Sequence, residues 1–110
     1  MSAFMNINDA SFDQQVLKSS LPVLVEFGAV WCGPCRQMEP VLEQLANEWQ
    51  GKVRLAKLDV DESIKTTMQF QVMSVPTLIL FENGEARERV SGKLPHDRLV
   101  EKFSPFVSAA

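Results

Sequence analysis

Cys32 and Cys35 are the two cysteines of this 110-residue chain, and they stand three positions apart. A disulfide between them closes so short a loop that chain entropy would stabilise the fold by about 2 kcal/mol at most. Spacing of this kind suits chemistry better than architecture, because close cysteine pairs in a reducing compartment serve redox exchange or metal binding. In thiol–disulfide exchange one thiolate attacks a disulfide sulfur and a neighbouring thiol resolves the mixed disulfide, moving two electrons.

The surroundings assign the two roles. Cys32 follows the apolar run Val23-Leu24-Val25-Glu26-Phe27 and precedes a long amphipathic stretch. Unpaired N–H groups and the dipole at a helix start favour a thiolate, so Cys32 is the expected nucleophile. Pro34 suits a first helical turn, where its missing N–H costs nothing. Residues three apart on a helix lie about 5 to 6 Å apart, within disulfide reach, so Cys35 is the expected resolving thiol.

Glu26 is the anomaly of its run, which is apolar on both alternating faces as a central strand requires. An ionised carboxylate there is costly unless it is paired or holds a proton. Two readings stand: a proton acceptor for Cys35, direct or through a water, with Lys57 on the next strand tuning it; or an edge position facing solvent.

The elements that must position these groups follow from periodicity. Ser11 with Gln14 has capping-box spacing, predicting a short helix over 11–18 after a strand over 3–7. Met38, Val41, Leu42, Leu45, Ala46 and Trp49 share one helical face, predicting a helix over 34–49, kinked at Pro40. Strand 53–60 and a weaker helix over 62–70 follow. Asn83-Gly84 between two β-rich runs, 77–82 and 85–90, reads as a type I′ hairpin. Leu99, Val100 and Phe103 give a last helix one apolar face, ended or bent by Pro105, and only small residues follow Val107. Alternating strands and helices followed by a hairpin imply an α/β fold with a mixed sheet covered by helices on both faces.

Composition narrows the function. Hydrophobic residues at 45% and charged residues at 23% are ordinary globular usage, which excludes disorder, and the length suits one domain over residues 1–110. The net charge of -3 is dispersed, without the basic run a nucleic-acid partner requires. With no apolar stretch near the ~18 residues of a membrane span and no signal-like start, a cytoplasmic protein is expected.

Val25-Glu26-Phe27, then Ala29-Val30-Trp31-Cys32-Gly33-Pro34-Cys35, Pro40, Lys57-Leu58-Asp59-Val60-Asp61, Val75-Pro76-Thr77 and Phe81-Glu82-Asn83-Gly84 together resemble the thioredoxin family over nearly the whole chain. The resemblance implies the thioredoxin fold, a central mixed five-stranded sheet flanked by four helices, and reduction of protein disulfides by a reversible Cys32–Cys35 cycle. It implies a cis Val75–Pro76 bond facing the cysteines, and an apolar docking surface of Trp31, Gly33, Pro34, Val75, Pro76 and Gly92. Read without the family, Trp31 is a surface aromatic and Pro76 a strand-start proline. The chain has no G-x-G-x-x-G fingerprint and no room for a nucleotide domain, so no bound cofactor is expected. The implied partners are disulfide-containing proteins and an NADPH-dependent flavoprotein thioredoxin reductase, met by a monomer. Three positions depart from the family: its buried acid is usually aspartate, not Glu26; a tryptophan two residues later is Gly28; and Met73 stands where many relatives are basic.

Three other readings compete. Zinc requires four ligands, and beyond the cysteines the chain offers His96, which reads more simply as a solvated helix-start residue. An oxidase or isomerase uses the same chemistry at a higher potential, though Gly33-Pro34 resembles reducing members of the family. A binding module with incidental thiols would keep its role in a Cys32→Ser, Cys35→Ser double variant.

Overall fold

The computed structural model describes residues 4–107, so Ala3 of the expected first strand and the small-residue tail after Val107 lie outside the described residues. Five strands, β1 (Phe4–Ile7), β2 (Val23–Gly28), β3 (Arg54–Asp59), β4 (Thr77–Glu82) and β5 (Glu85–Ser91), form one sheet in the order β1-β3-β2-β4-β5. β1 and β2 run parallel to β3, while β4 runs antiparallel to both β2 and β5. The sheet is therefore mixed, as the order of elements predicts. Four helical segments flank it: a π-helical turn (Asp13–Leu17), α1 (Gly33–Glu48), α2 (Ile64–Gln69) and α3 (His96–Phe103). A 3₁₀ turn, Ser104–Phe106, continues from α3 at Pro105.

Strand alternation sorts the core into two layers. Leu24, Leu55, Leu78, Leu80 and Val90 face α1 and α3, meeting Met38, Leu42, Leu45, Leu99 and Phe103. Val23, Val25, Phe27, Ile79 and Phe81 face the other way, against Phe12, Val16 and Phe70. All six residues of β2 are buried, and Glu26 shares the α1 side with Leu24. It is no edge position: β2 lies between β3 and β4.

Two helix starts differ from expectation. The capping box near the first helix belongs to Asn8 and Ser11, not to Ser11 and Gln14. Ser11 N–H donates to Asn8 Oδ1 at 3.0 Å, and Asn8 N–H donates to Ser11 Oγ at 3.0 Å. The motif begins three residues earlier because asparagine accepts at an N-cap as well as serine does. At α2 the preceding Ser63 makes no side-chain cap. Asp9, from the loop after β1, accepts instead from Thr66 N–H at 2.8 Å, Thr66 Oγ1 at 2.7 Å and Lys65 N–H at 3.2 Å. The β4–β5 hairpin turns as predicted, with Asn83 and Gly84 at φ 54° and 80°. Pro40 sits inside α1, where it offers no N–H to the Arg36 carbonyl.

Candidate active site

Cys32 is the N-cap of α1, in an extended conformation (φ -87°, ψ 107°), and its Sγ accepts the Cys35 N–H at 3.1 Å. The helix begins one residue earlier than predicted, at Gly33, with Pro34 in its first turn. That arrangement leaves the sulfur at the positive end of the helix dipole. Cys32 and Cys35 form a disulfide with Cα atoms 5.3 Å apart. Both residues are almost wholly covered, at 3% and 5% exposure, whereas Trp31 beside them is 66% exposed. A disulfide partner must therefore be held against the surrounding surface.

Glu26 is 2% exposed, and burial raises its carboxyl from the ordinary 4.5 to about 7. Lys57 pulls against that shift and Glu39 adds to it. The parallel register places Lys57 directly beside Glu26 on β3. Its hydrogen bond, however, goes to Glu39 Oε1 at 2.6 Å, so Lys57 acts on Glu26 by charge without touching it. Glu26 Oε2 has no hydrogen-bond partner among the described residues. Built on Gly28, a Cβ would stand 3.4 Å from that oxygen and 3.3 Å from Cys35 Sγ, so one vacant point touches both groups. A carboxyl half-ionised near neutrality beside the Cys35 sulfur can take up and return a proton.

The remaining predicted residues occupy neighbouring loops. The Val75–Pro76 bond is cis, and the Pro76 carbonyl accepts from Gly92 N–H at 2.8 Å, with Gly92 at φ 88°. Pro76 is buried, Val75 and Gly92 are half-buried, and Pro34 is exposed. Trp31 Nε1 donates to Asp61 Oδ2 at 2.8 Å, which ties the indole to the loop after β3. His96 lies at the opposite end of α1 from the cysteines, bridging Glu48 at 2.8 Å and Asp97 at 2.9 Å, so it does not join them as a ligand. It is also more than a solvated helix-start residue.

Three residues escaped sequence reasoning: Glu39, Asp61 and Ser63. Glu39 was detectable, since it lies four positions after Cys35 and so on the same helix face. Asp61 belongs to a motif already singled out, but its bond to Trp31 is a tertiary fact. Nothing in the sequence marks Ser63, whose buried Oγ has no partner among the described residues.

Comparison with known proteins bears on the same residues. The thioredoxin family profile matches residues 3–104. The chain is 50% identical over 102 residues to a thioredoxin of Alicyclobacillus acidocaldarius, covering 93% of this chain and 96% of that protein. It is 41% identical over 107 residues to a thioredoxin of Synechocystis, covering 97% of this chain and all of that one. A chloroplastic M-type thioredoxin of Pisum sativum is 43% identical over 101 residues, which span 92% of this chain but 59% of the longer pea protein. With the fold, the disulfide at the head of α1 and this similarity in agreement, the chain belongs to the thioredoxin family and is a thiol–disulfide oxidoreductase with protein-disulfide reductase activity.

Proposed function

We propose that Cys32 attacks, Cys35 resolves and Glu26 moves the proton, in a one-domain monomer of the cytoplasm that reduces disulfides in other proteins. The supporting observation is the place of Cys32 as N-cap of α1, where Cys35 N–H donates to its sulfur. In the reduced form that contact stabilises the Cys32 thiolate. The thiolate attacks a substrate sulfur, forming a mixed disulfide and expelling one substrate thiolate. Cys35 gives its proton to Glu26 and attacks Cys32 Sγ; the second substrate thiol leaves and the Cys32–Cys35 disulfide remains. Lys57, held by Glu39, sets how readily Glu26 accepts that proton. An extended segment of the substrate docks on Trp31, Gly33, Pro34, Val75, Pro76 and Gly92. Electrons return from an NADPH-dependent flavoprotein reductase, and the cytoplasm is a compartment reducing enough to keep the dithiol charged.

The test is the equilibrium potential of the Cys32/Cys35 pair in a glutathione buffer, paired with insulin reduction. A potential well below the glutathione poise, with turnover lost in Cys32→Ser, supports the proposal. A value near the disulfide isomerases would replace it with the isomerase reading. Glu26 has its own readout: resolution of the mixed disulfide should quicken as pH rises through about 7 in the wild type and lose that step in Glu26→Gln.

A further inference from the structure

α2 ends in a turn that glycine usually closes. Val72 N–H donates to the Thr67 carbonyl at 3.0 Å and Gln71 N–H to the Met68 carbonyl at 3.1 Å, the paired bonds of a Schellman motif. The residue just past the helix cap must then be left-handed, and here it is Gln71, at φ 55°. Glycine adopts that conformation freely and asparagine or aspartate at times, whereas a glutamine there is strained.

The compensation comes from the edge of the sheet. Arg89 on β5 pairs in register with Ile79, so its side chain leaves the sheet on the face where Ile79 and Phe70 pack. Its guanidinium donates to the Gln71 carbonyl at 3.3 Å and, through Nη2, to the Phe70 carbonyl. One planar fork thereby fixes two carbonyls that the end of the helix leaves without an intrahelical donor. What this clamp directs is the chain beyond it. Val72, Met73 and Ser74 lead from Gln71 to the cis Val75–Pro76 bond, and Thr77 Oγ1 donates to the Ser74 carbonyl at 2.7 Å where β4 begins. A reversal of φ at Gln71 would re-aim every residue before that second anchor.

We propose that Arg89 is a positioning residue for substrate docking: from β5 it holds Gln71 left-handed and so sets the place of Val75 and Pro76, which meet the substrate segment beside Cys32. The inference rests on the docking surface proposed above. It gives Arg89 no contact with substrate and no part in the thiol chemistry.

The experiment mixes pre-reduced protein in a single turnover with insulin over a range of concentrations, and separately with 2-hydroxyethyl disulfide, which is too small to need a docking surface. Arg89→Ala should raise the half-saturating insulin concentration about tenfold, the effect of losing one hydrogen bond to a charged group. Its limiting rate and its rate with the small disulfide should stay within about twofold of wild type. Arg89→Lys should recover part of the loss, because an ammonium lacks the fork that spans both carbonyls. Adding Gln71→Gly to Arg89→Ala should recover nearly all of it, since glycine takes the left-handed conformation without a clamp. Both positions are exposed, so each variant should fold as the wild type does.

Half-saturation within about twofold of wild type in Arg89→Ala overturns the inference. So does a loss shared equally by 2-hydroxyethyl disulfide, which would place the defect at the cysteines. A loss that Gln71→Gly leaves in place overturns it too, because Arg89 would then touch the substrate itself. Trp31→Ala separates the clamp from the docking surface. If it raises half-saturation and Arg89→Ala does not, the clamp alone fails; if neither does, the docking surface fails and the inference falls with it.

Discussion

Val23, Val25 and Phe27 project from one face of β2, and Leu24, Glu26 and Gly28 from the other, separated by nothing but strand alternation. The first set is uniformly apolar. It packs into a layer where Phe81 meets Phe12 and Phe70 edge to ring and those two rings tilt at 45° to each other, with centroids 4.9 to 5.4 Å apart. The second set holds an acid with an oxygen unpartnered among the described residues, a position without a side chain, and a cavity reaching the redox sulfur. Two of the three departures from the family pattern meet here: the longer Glu26 reaches to 3.4 Å from where a Cβ on residue 28 would stand. Dense packing on one face lets the other carry the energetic defects that chemistry requires.

The largest test of that division is Phe27→Ala. Emptying a fully buried aromatic site should cost about 3 to 5 kcal/mol in urea denaturation while leaving the reduction potential of the folded protein near that of the wild type. Glu26→Gln should act in the opposite direction. Folding raises the Glu26 carboxyl from 4.5 to about 7, so the folded state binds the proton more tightly. That contribution is present in full below pH 4.5 and is lost as pH rises through about 7. The loss amounts to roughly 3 kcal/mol, and glutamine, which never ionises, should recover up to that much at pH 8 and nothing at pH 4. A Glu26→Gln protein no more stable than wild type at pH 8 would mean that the α1 side of β2 carries no such defect.

Much of this was legible beforehand, because its signals are local. The continuous apolar run of β2, the one-sided face of α1, the Asn83-Gly84 turn and the Cys32–Cys35 spacing each lie within a few residues, and the structure agrees with them. What stayed hidden depends on distant pairings. Asp9 caps α2 from 57 positions away, which explains why the helix looked weak in sequence. Lys57 was expected to serve Glu26, but Glu39 reaches over from α1 and takes its hydrogen bond. The capping box near Ser11 had the right residue in the wrong role, since Asn8 and Ser11 both fit an N-cap by type. Gly28 was visible as a missing side chain; that its absence opens a cavity onto Cys35 follows only from packing.

Asp9→Ala probes the densely packed face from its border and should be milder than Phe27→Ala. Phe70 and Val72, which pack into that layer, follow α2, so uncapping the helix should loosen them. Faster amide hydrogen exchange at Thr66 and a small drop in Tm are expected, with the Cys32–Cys35 potential unchanged. The Asp9 carboxyl is held below its ordinary 3.8, chiefly by Thr66, so its contribution is present above pH 3.8 and lost as pH falls further. Unchanged exchange at Thr66 would show that α2 is held by packing alone.

His96→Ala should have the smallest effect, and it tests the border of the opposite layer, where α3 meets the end of α1. The Glu48 and Asp97 contacts raise the His96 imidazole above its ordinary 6.5, and the same contact with His96 lowers Glu48 below 4.5. For the histidine, stabilisation is complete below pH 6.5 and lost as pH rises through the raised value; for the glutamate, it is complete above pH 4.5 and lost as pH falls through the lowered one. The ion pair therefore operates in full between those limits, and the Tm difference between wild type and His96→Ala should peak there and shrink on both sides. Glu26 loses stability across much of the same range, so wild-type Tm alone would conflate the two groups. The difference curve separates them: its upper limb follows the His96 titration seen by NMR, and a flat curve would mean that the bridge does not hold α3 to α1.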